Sequence, residues 1–186
     1  MDENNFKMAL AELLEIEGAY SDVGADRGGK TTWGITEALA RREPWCYEGP
    51  MNELPLELAE RIYLLEYWNH RRLSLDAMTE AGGASVAREV FEQAVNTGQY
   101  LTAKRCQRVL NVLNRDEALF YDLKVDGWLG RATRDAISVL YREPLGETDI
   151  LIWLNIAQGR HYFDLLESDP SQEAFARGWA RKRVKL

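Results

Sequence analysis

Cysteine, histidine and proline are scarce in this chain of 186 residues, with two, two and five copies. Cys46 and Cys106 stand far apart, in no C-x-x-C or zinc-like spacing, and neither His70 nor His161 is near them in sequence. A metal site is therefore not expected, nor any cofactor, and two buried or idle thiols are the simpler reading. Long apolar runs are missing as well. Nothing approaches the ~18 consecutive apolar residues of a membrane span, so no stable membrane insertion is expected. The start, Met1-Asp2-Glu3-Asn4-Asn5, lacks the cationic and apolar run of a secretory signal, which sets the expectation of synthesis in the cytoplasm without a signal peptide. There is no Pro/Ser linker, low-complexity tract or repeat to divide the chain. Positive charge is in deficit: 23 basic against 30 acidic side chains give −7, with pI near 5.0. That balance excludes general nucleic-acid binding, which needs cations to replace counterions.

What remains is an ordinary globular composition, 46% hydrophobic and 28% charged, long enough to bury a core without disulfides or metal. The charge is unevenly spread. Residues 177–186 hold five cations, Arg177, Arg181, Lys182, Arg183 and Lys185, and no acid, so the rest carries 18 basic and 30 acidic groups, a −12 body. The basic tip fits a helix C-terminus placed against its macrodipole, or contact with an anionic polymer or membrane surface.

Helical periodicity dominates. Phe6, Leu10, Leu13 and Leu14 predict a helix capped by Asn4 or Asn5 and ended by Gly18. Residues 20–36 change texture: Asp22, Gly24, Asp26, Gly28, Gly29 and Gly34 mark a loop, and Thr31-Thr32-Trp33-Gly34-Ile35-Thr36 a short strand or hairpin. Thr36 can cap a helix over 37–42 that Pro44 stops, and Pro55 starts another through Leu58, Ile62, Leu65 and Tyr67. Gly82-Gly83 precedes a stripe of Val86, Val90, Phe91 and Ala94, and Thr97-Gly98 turns the chain into a helix over 101–113. Residues 114–123 are ambiguous. A glycine-marked turn at 126–130 leads to helices over 131–141, 148–166 and 172–183. The fold class is mainly α with one small β element near the N-terminus.

The chemistry-bearing set is Glu17, Asp26 and Thr32. A carboxyl at a helix C-terminus feels the partial negative charge of unpaired carbonyls, and apolar packing would desolvate it further. Both raise its pKa, so Glu17 could stay protonated and deliver a proton to a leaving oxygen. Asp26, in a polar glycine-rich loop, would stay ionised, and the Thr32 hydroxyl could hold a water. Two carboxyls in unlike surroundings are the division of labour that glycoside hydrolysis requires. A solvated helix end followed by a turn would use the same letters. Gly28, Gly29 and Gly34 either shape turns or let backbone approach a sugar. Tyr20, Trp33, Tyr67 and Trp68 are core aromatics or sugar-stacking platforms. Asn96 can cap a helix end. Val125-Asp126-Gly127-Trp128-Leu129-Gly130 is a tight turn before a helix, with Trp128 its exposed contact if it binds anything.

Glu17, eight residues, Asp26, five residues, Thr32 is also the catalytic spacing of phage-type lysozymes. Glu17-Gly18-Ala19-Tyr20, Asp26-Arg27-Gly28-Gly29-Lys30-Thr31 and Gly34-Ile35-Thr36 resemble the E-G-G-Y, D-x-G-G-x-T and G-I-T signature of glycoside hydrolase family 108. Tyr67-Trp68, the A-V-N-x-G-like Ala94-Val95-Asn96-Thr97-Gly98, and Phe175-Ala176-Arg177-Gly178-Trp179 with Arg183 continue the likeness in order. Ile16 stands where the family commonly has histidine, and Ala19 replaces its second glycine; neither change removes a proton donor. The 125–133 segment is similar to the V-D-G-x-x-G-x-x-T turn of helical peptidoglycan-binding modules.

The resemblance implies a lysozyme-like fold, with a catalytic region over 1–115 and a peptidoglycan-binding-like region over 116–186 packed on it, or the two as a single domain. It implies an N-acetylmuramidase cleaving the β-1,4 bond between N-acetylmuramic acid and N-acetylglucosamine, of the kind found among phage and prophage endolysins, some members being labelled secretion activators. Glu17, Asp26 and Thr32 would be catalytic; Tyr20, Gly29, Gly34, Thr36, Tyr67, Trp68, Asn96 and Trp128 would bind substrate. Peptidoglycan would be the partner, reached in the periplasm with the help of a holin. A lytic transglycosylase, or a non-catalytic wall-binding or secretion-assisting protein, is the alternative.

Overall fold

Phe6, Ala9, Leu10 and Leu13 fall on one stripe of helix α1 (Glu3–Glu17), and that stripe is buried. The helix begins before Asn4 and Asn5, which therefore lie inside it rather than capping it. The computed structural model describes residues 3–17, 20–21 and 30–184; of residues 3, 16, 17, 20 and 21 it describes the backbone alone.

Three two-residue strands follow among the described residues: β1 (Tyr20–Ser21), β2 (Thr31–Thr32) and β3 (Ile35–Thr36), antiparallel in that order. Trp33 and Gly34 form the two-residue connection between β2 and β3, both at positive φ (55° and 75°). That is the pattern of a type I′ turn, whose twist matches the flanking strands. Glycine meets it without strain; tryptophan does not. Trp33 is held there from both ends: its indole N–H donates to Leu54 O (3.0 Å), and Tyr63 Oη donates to its carbonyl (2.8 Å). Thr36 then caps α2 (Glu37–Arg41) by accepting from Leu39 N.

Helix α3 (Leu56–Tyr63) follows Pro55 and runs directly into a π-helical turn, Leu64–Trp68. The short α4 (Leu75–Glu80) carries too few residues to show a stripe, and nothing in the sequence pattern announces it. Next comes α5 (Ala84–Thr97), buried almost all round and central to the fold. On one side it meets α1, the π turn and α4. On the other it meets α6 (Gln99–Leu113) and the long α8 (Gly146–Ser168). One hydrophobic core runs from Phe6 to Leu154, through both halves of the chain.

The ambiguous stretch after α6 opens with three successive left-handed residues, Arg115, Asp116 and Glu117 (φ 56°, 55° and 62°). Buried Asn114 organises it: Oδ1 accepts from Glu117 N (3.3 Å) and Nδ2 donates to Asp122 Oδ1 (2.7 Å). Helix α7 (Arg131–Leu140) comes next. The single helix expected over 172–183 is two pieces, a 3-10 helix Pro170–Phe175 and α9 (Ala176–Lys182). Arg181 and Lys182 stand in the last turn of α9, where cations suit the macrodipole. Among the described residues no helix is long and apolar enough to cross a membrane.

Candidate functional site

The last residue of α1 is Glu17, and three residues later Tyr20 opens β1. The strand register sets Tyr20 opposite Thr32, and Thr31 opposite Thr36. The sheet therefore gathers the backbones of Tyr20, Thr32, Gly34 and Thr36 within a few residues of the α1 terminus. The Glu17 and Tyr20 side chains, and Asp26 and Gly29 altogether, lie outside the described residues.

Thr32 is 3% exposed, and its hydroxyl donates to Met51 O (2.5 Å). That bond ties β2 to the 3-10 turn Met51–Glu53. With its proton committed, the oxygen can meet a water only as an acceptor. Gly34 and Thr36 have defined local work, the hairpin turn and the α2 cap.

The π turn separates the two neighbouring aromatics. Tyr67 is half-buried, with its ring 5.8 Å from that of Tyr63. Trp68 points the other way and is fully buried, among Phe6 and Phe91 at 5.7 and 5.5 Å, with its indole N–H on Asp76 Oδ1 (2.7 Å). A ring with no exposed face cannot stack on a sugar, so Trp68 is corrected from a substrate-binding residue to a core one. Asp76 also accepts from Asn69 Nδ2 (2.9 Å), fixing the residue that follows the turn. Asn96 is half-buried near the end of α5 and folds its amide back onto Glu92 O (2.9 Å).

Several organising groups carried no signal by themselves. Glu66 accepts from Arg42 Nη2 (2.7 Å) and Trp45 Nε1 (2.9 Å), and its carbonyl accepts from Gln99 Nε2 (2.7 Å). It thereby joins the α2 end, the π turn and the start of α6. Deeper, Gln93 Nε2 donates to Glu89 Oε1 (2.8 Å) and to Leu154 O (3.2 Å), while Arg105 Nη1 donates to Gln93 Oε1 (2.8 Å). Burial lowers the Arg105 pKa from its ordinary value, opposed by Tyr162 and Glu89. Polar residues four apart on an otherwise apolar stripe, Glu89 and Gln93, are the signal that could have exposed this network.

The 126–130 turn is built as a unit. Asp126 Oδ1 accepts from Gln107 Nε2 (2.9 Å) and Trp128 N (3.0 Å), and Gln107 Oε1 accepts from Gly127 N (2.9 Å). The Gln107 amide first, then the Trp128 N–H, hold the Asp126 carboxyl below the usual range. Gly127 has φ 78°, and a Cβ there would strike the Tyr100 ring. Leu129 plugs into the core, and its N–H donates to Arg72 O (2.8 Å). Trp128 stays 40% exposed, as the turn motif suggested. The thiols differ in kind: Cys46 is exposed, and burial pushes Cys106 up to about 12.

Residues 10–98 match the model of the glycosyl hydrolase 108 family, and residues 102–184 that of the family described as predicted peptidoglycan domain. Residues 99–101 lie between the two matched stretches. No curated protein matches the chain. Among solved structures, the chain is similar in fold to Brucella abortus SagA, with a TM-score of 0.69 at 24% identity, covering 97% of this chain and 92% of that one. By these matches the front of the chain, residues 10–98, is similar to the glycosyl hydrolase 108 family, and residues 102–184 to the predicted peptidoglycan domain.

Proposed function

We propose that this protein is an N-acetylmuramidase that hydrolyses the β-1,4 bond between N-acetylmuramic acid and N-acetylglucosamine in peptidoglycan. Glu17 is the general acid, giving its proton to the leaving glycosidic oxygen. Asp26 steadies the developing oxocarbenium charge or orients the attacking water, and Thr32 Oγ1 accepts from that water. What carries the reading is the glycosyl hydrolase 108 match over 10–98, which contains the whole Glu17, Asp26, Thr32 set. The register that sets Thr32 opposite Tyr20, three residues beyond Glu17, adds support. The biological reading is a phage or prophage endolysin, made in the cytoplasm and released to the periplasmic wall through a holin-type pore.

The test is turbidity clearing of outer-membrane-stripped Gram-negative cells, wild type beside Glu17→Gln. Loss of a positioned acid is expected to slow clearing about 10²–10⁴-fold. Clearing by Glu17→Gln at the wild-type rate overturns the assignment. Muropeptides released with anhydro-sugar ends, seen by mass spectrometry, would instead make the enzyme a transglycosylase.

A further inference from the structure

The chain has an acidic body, yet three of its cations collect on two exposed rings where the two family regions meet. Trp128 carries Arg72 Cζ at 4.5 Å and Arg71 Cζ at 5.6 Å from its ring centroid. Tyr100, 46% exposed, carries Arg72 Cζ and Lys104 Nζ, each at 5.1 Å. Among the described residues none of these three cations forms an ion pair with a carboxylate. The acid of the adjoining turn, Asp126, is already engaged by Gln107 and the Trp128 N–H.

The assembly is held rigidly. Leu129 N donates to Arg72 O, Arg72 Nη1 reaches Gly127 O (3.4 Å), and Gln107 Nε2 donates to Trp128 O (2.9 Å). Each cation resting on a ring loses side-chain freedom before any ligand arrives, so less is lost on binding. Unpaired guanidiniums fixed in this way offer paired N–H donors that fit a carboxylate. A sugar stacking on Trp128 would have to displace the guanidiniums already there.

We propose that Arg71, Arg72 and Lys104, ordered on Trp128 and Tyr100, form a carboxylate-binding site for the free acidic groups of peptidoglycan stem peptides. The site rests on the peptidoglycan reading above but is separate from the Glu17 chemistry. It would bind the polymer by its peptides while the hairpin region engages its sugars. Arg71 and Arg72 come from the first family region, Lys104 and Trp128 from the second, and Tyr100 from the junction. The site therefore exists only when the two are packed together.

The experiment measures binding of the full chain, as Glu17→Gln to prevent digestion, to three insoluble probes. These are native sacculi, sacculi whose carboxyls have been chemically amidated, and chitin, an uncharged glycan without stem peptides. Binding to native sacculi should exceed binding to either other probe by roughly tenfold at low salt, and the excess should shrink as salt rises. In a background of Arg71→Gln with Lys104→Gln, two surface changes, the preference for native sacculi should vanish. Equal binding to native and amidated sacculi overturns the site and leaves the muramidase reading standing. Absence of binding to all three probes overturns both. Retention of the preference by the double variant, or tighter binding to single-stranded DNA than to native sacculi, overturns the site. The amidated probe decides the matter even if the double variant fails to fold.

Discussion

The two faces of helix α5 are packed by opposite means. Phe91 looks toward the front of the chain and sits in an aromatic cluster, with ring centroids of Phe6, Tyr63 and Trp68 at 6.1, 6.0 and 5.5 Å, all edge-to-face. Glu89 and Gln93, each about 200° around the helix from Phe91, look toward α6 and α8 and meet Arg105 and the Leu154 carbonyl. The first face is dry and non-directional. The second is a buried polar seam in which each member depends on the geometry of the next. The apolar face supplies stability, and the seam fixes how the second region registers on the first. Buried ionic and polar groups are weak sources of net stability, and specificity is the better-attested reason for keeping them.

Phe91 carries the largest expected effect. Phe91→Ala should lower the unfolding free energy by about 3–5 kcal/mol, read from urea denaturation, because the ring is fully buried and its neighbours can only partly collapse. A loss under about 1 kcal/mol would mean that the cluster is not the anchor it resembles.

Arg105 tests the other face. Arg105→Ala leaves Gln93 Oε1 without its donor and should cost about 2–3 kcal/mol. Arg105→Met, which restores volume without charge, should recover more than half of that loss while relaxing the α5–α6–α8 register. Increased hydrogen exchange confined to α8 would report the relaxation. Equal losses for the two variants would make the seam a source of stability after all.

Thr36→Ala supplies a yardstick away from both faces. Removing the cap oxygen on Leu39 N should cost about 1 kcal/mol in the same denaturation assay. A cost as large as that of Arg105→Ala would place the seam among ordinary local interactions.

The smallest effect separates the faces by pH. His161, on α8 near Arg105, has its pKa lowered by burial first and by the Arg105 charge second, with Asp164 opposing. The folded value lies below the unfolded one, so the unfolded chain takes the proton first as pH falls. Stability from this group is complete above about 6.5 and declines as pH drops through 6.5 toward the folded value. His161→Asn should flatten part of the decline in thermal midpoint between pH 7 and pH 5, and Phe91 variants should leave its slope unchanged.

Much of the local structure was legible in the sequence. Apolar periodicity marks α1 and α5, and glycine breaks set off α6 and α8; Thr36 reads as a cap, residues 31–36 as a short strand or hairpin, and 126–130 as a tight turn. Each depends on residues within a turn or two of one another, where propensity and spacing act directly. The Glu17, Asp26, Thr32 set was legible as a spacing, and the glycosyl hydrolase 108 match falls on that segment. Helix α4, at six residues, was too short for a periodic signal.

Tertiary structure decided the rest. Tyr67 and Trp68 are adjacent letters of one type, and the π turn alone sends Trp68 into the core while Tyr67 stays half-exposed. Arg72 and Trp128 are far apart in sequence, so their contact exists only because the 126–130 turn docks on the Arg72 carbonyl. Short-range preferences are written residue by residue. Which side chain is buried, and which distant partner it meets, follows from how finished helices pack, where a rotation of one element changes every long-range pair at once.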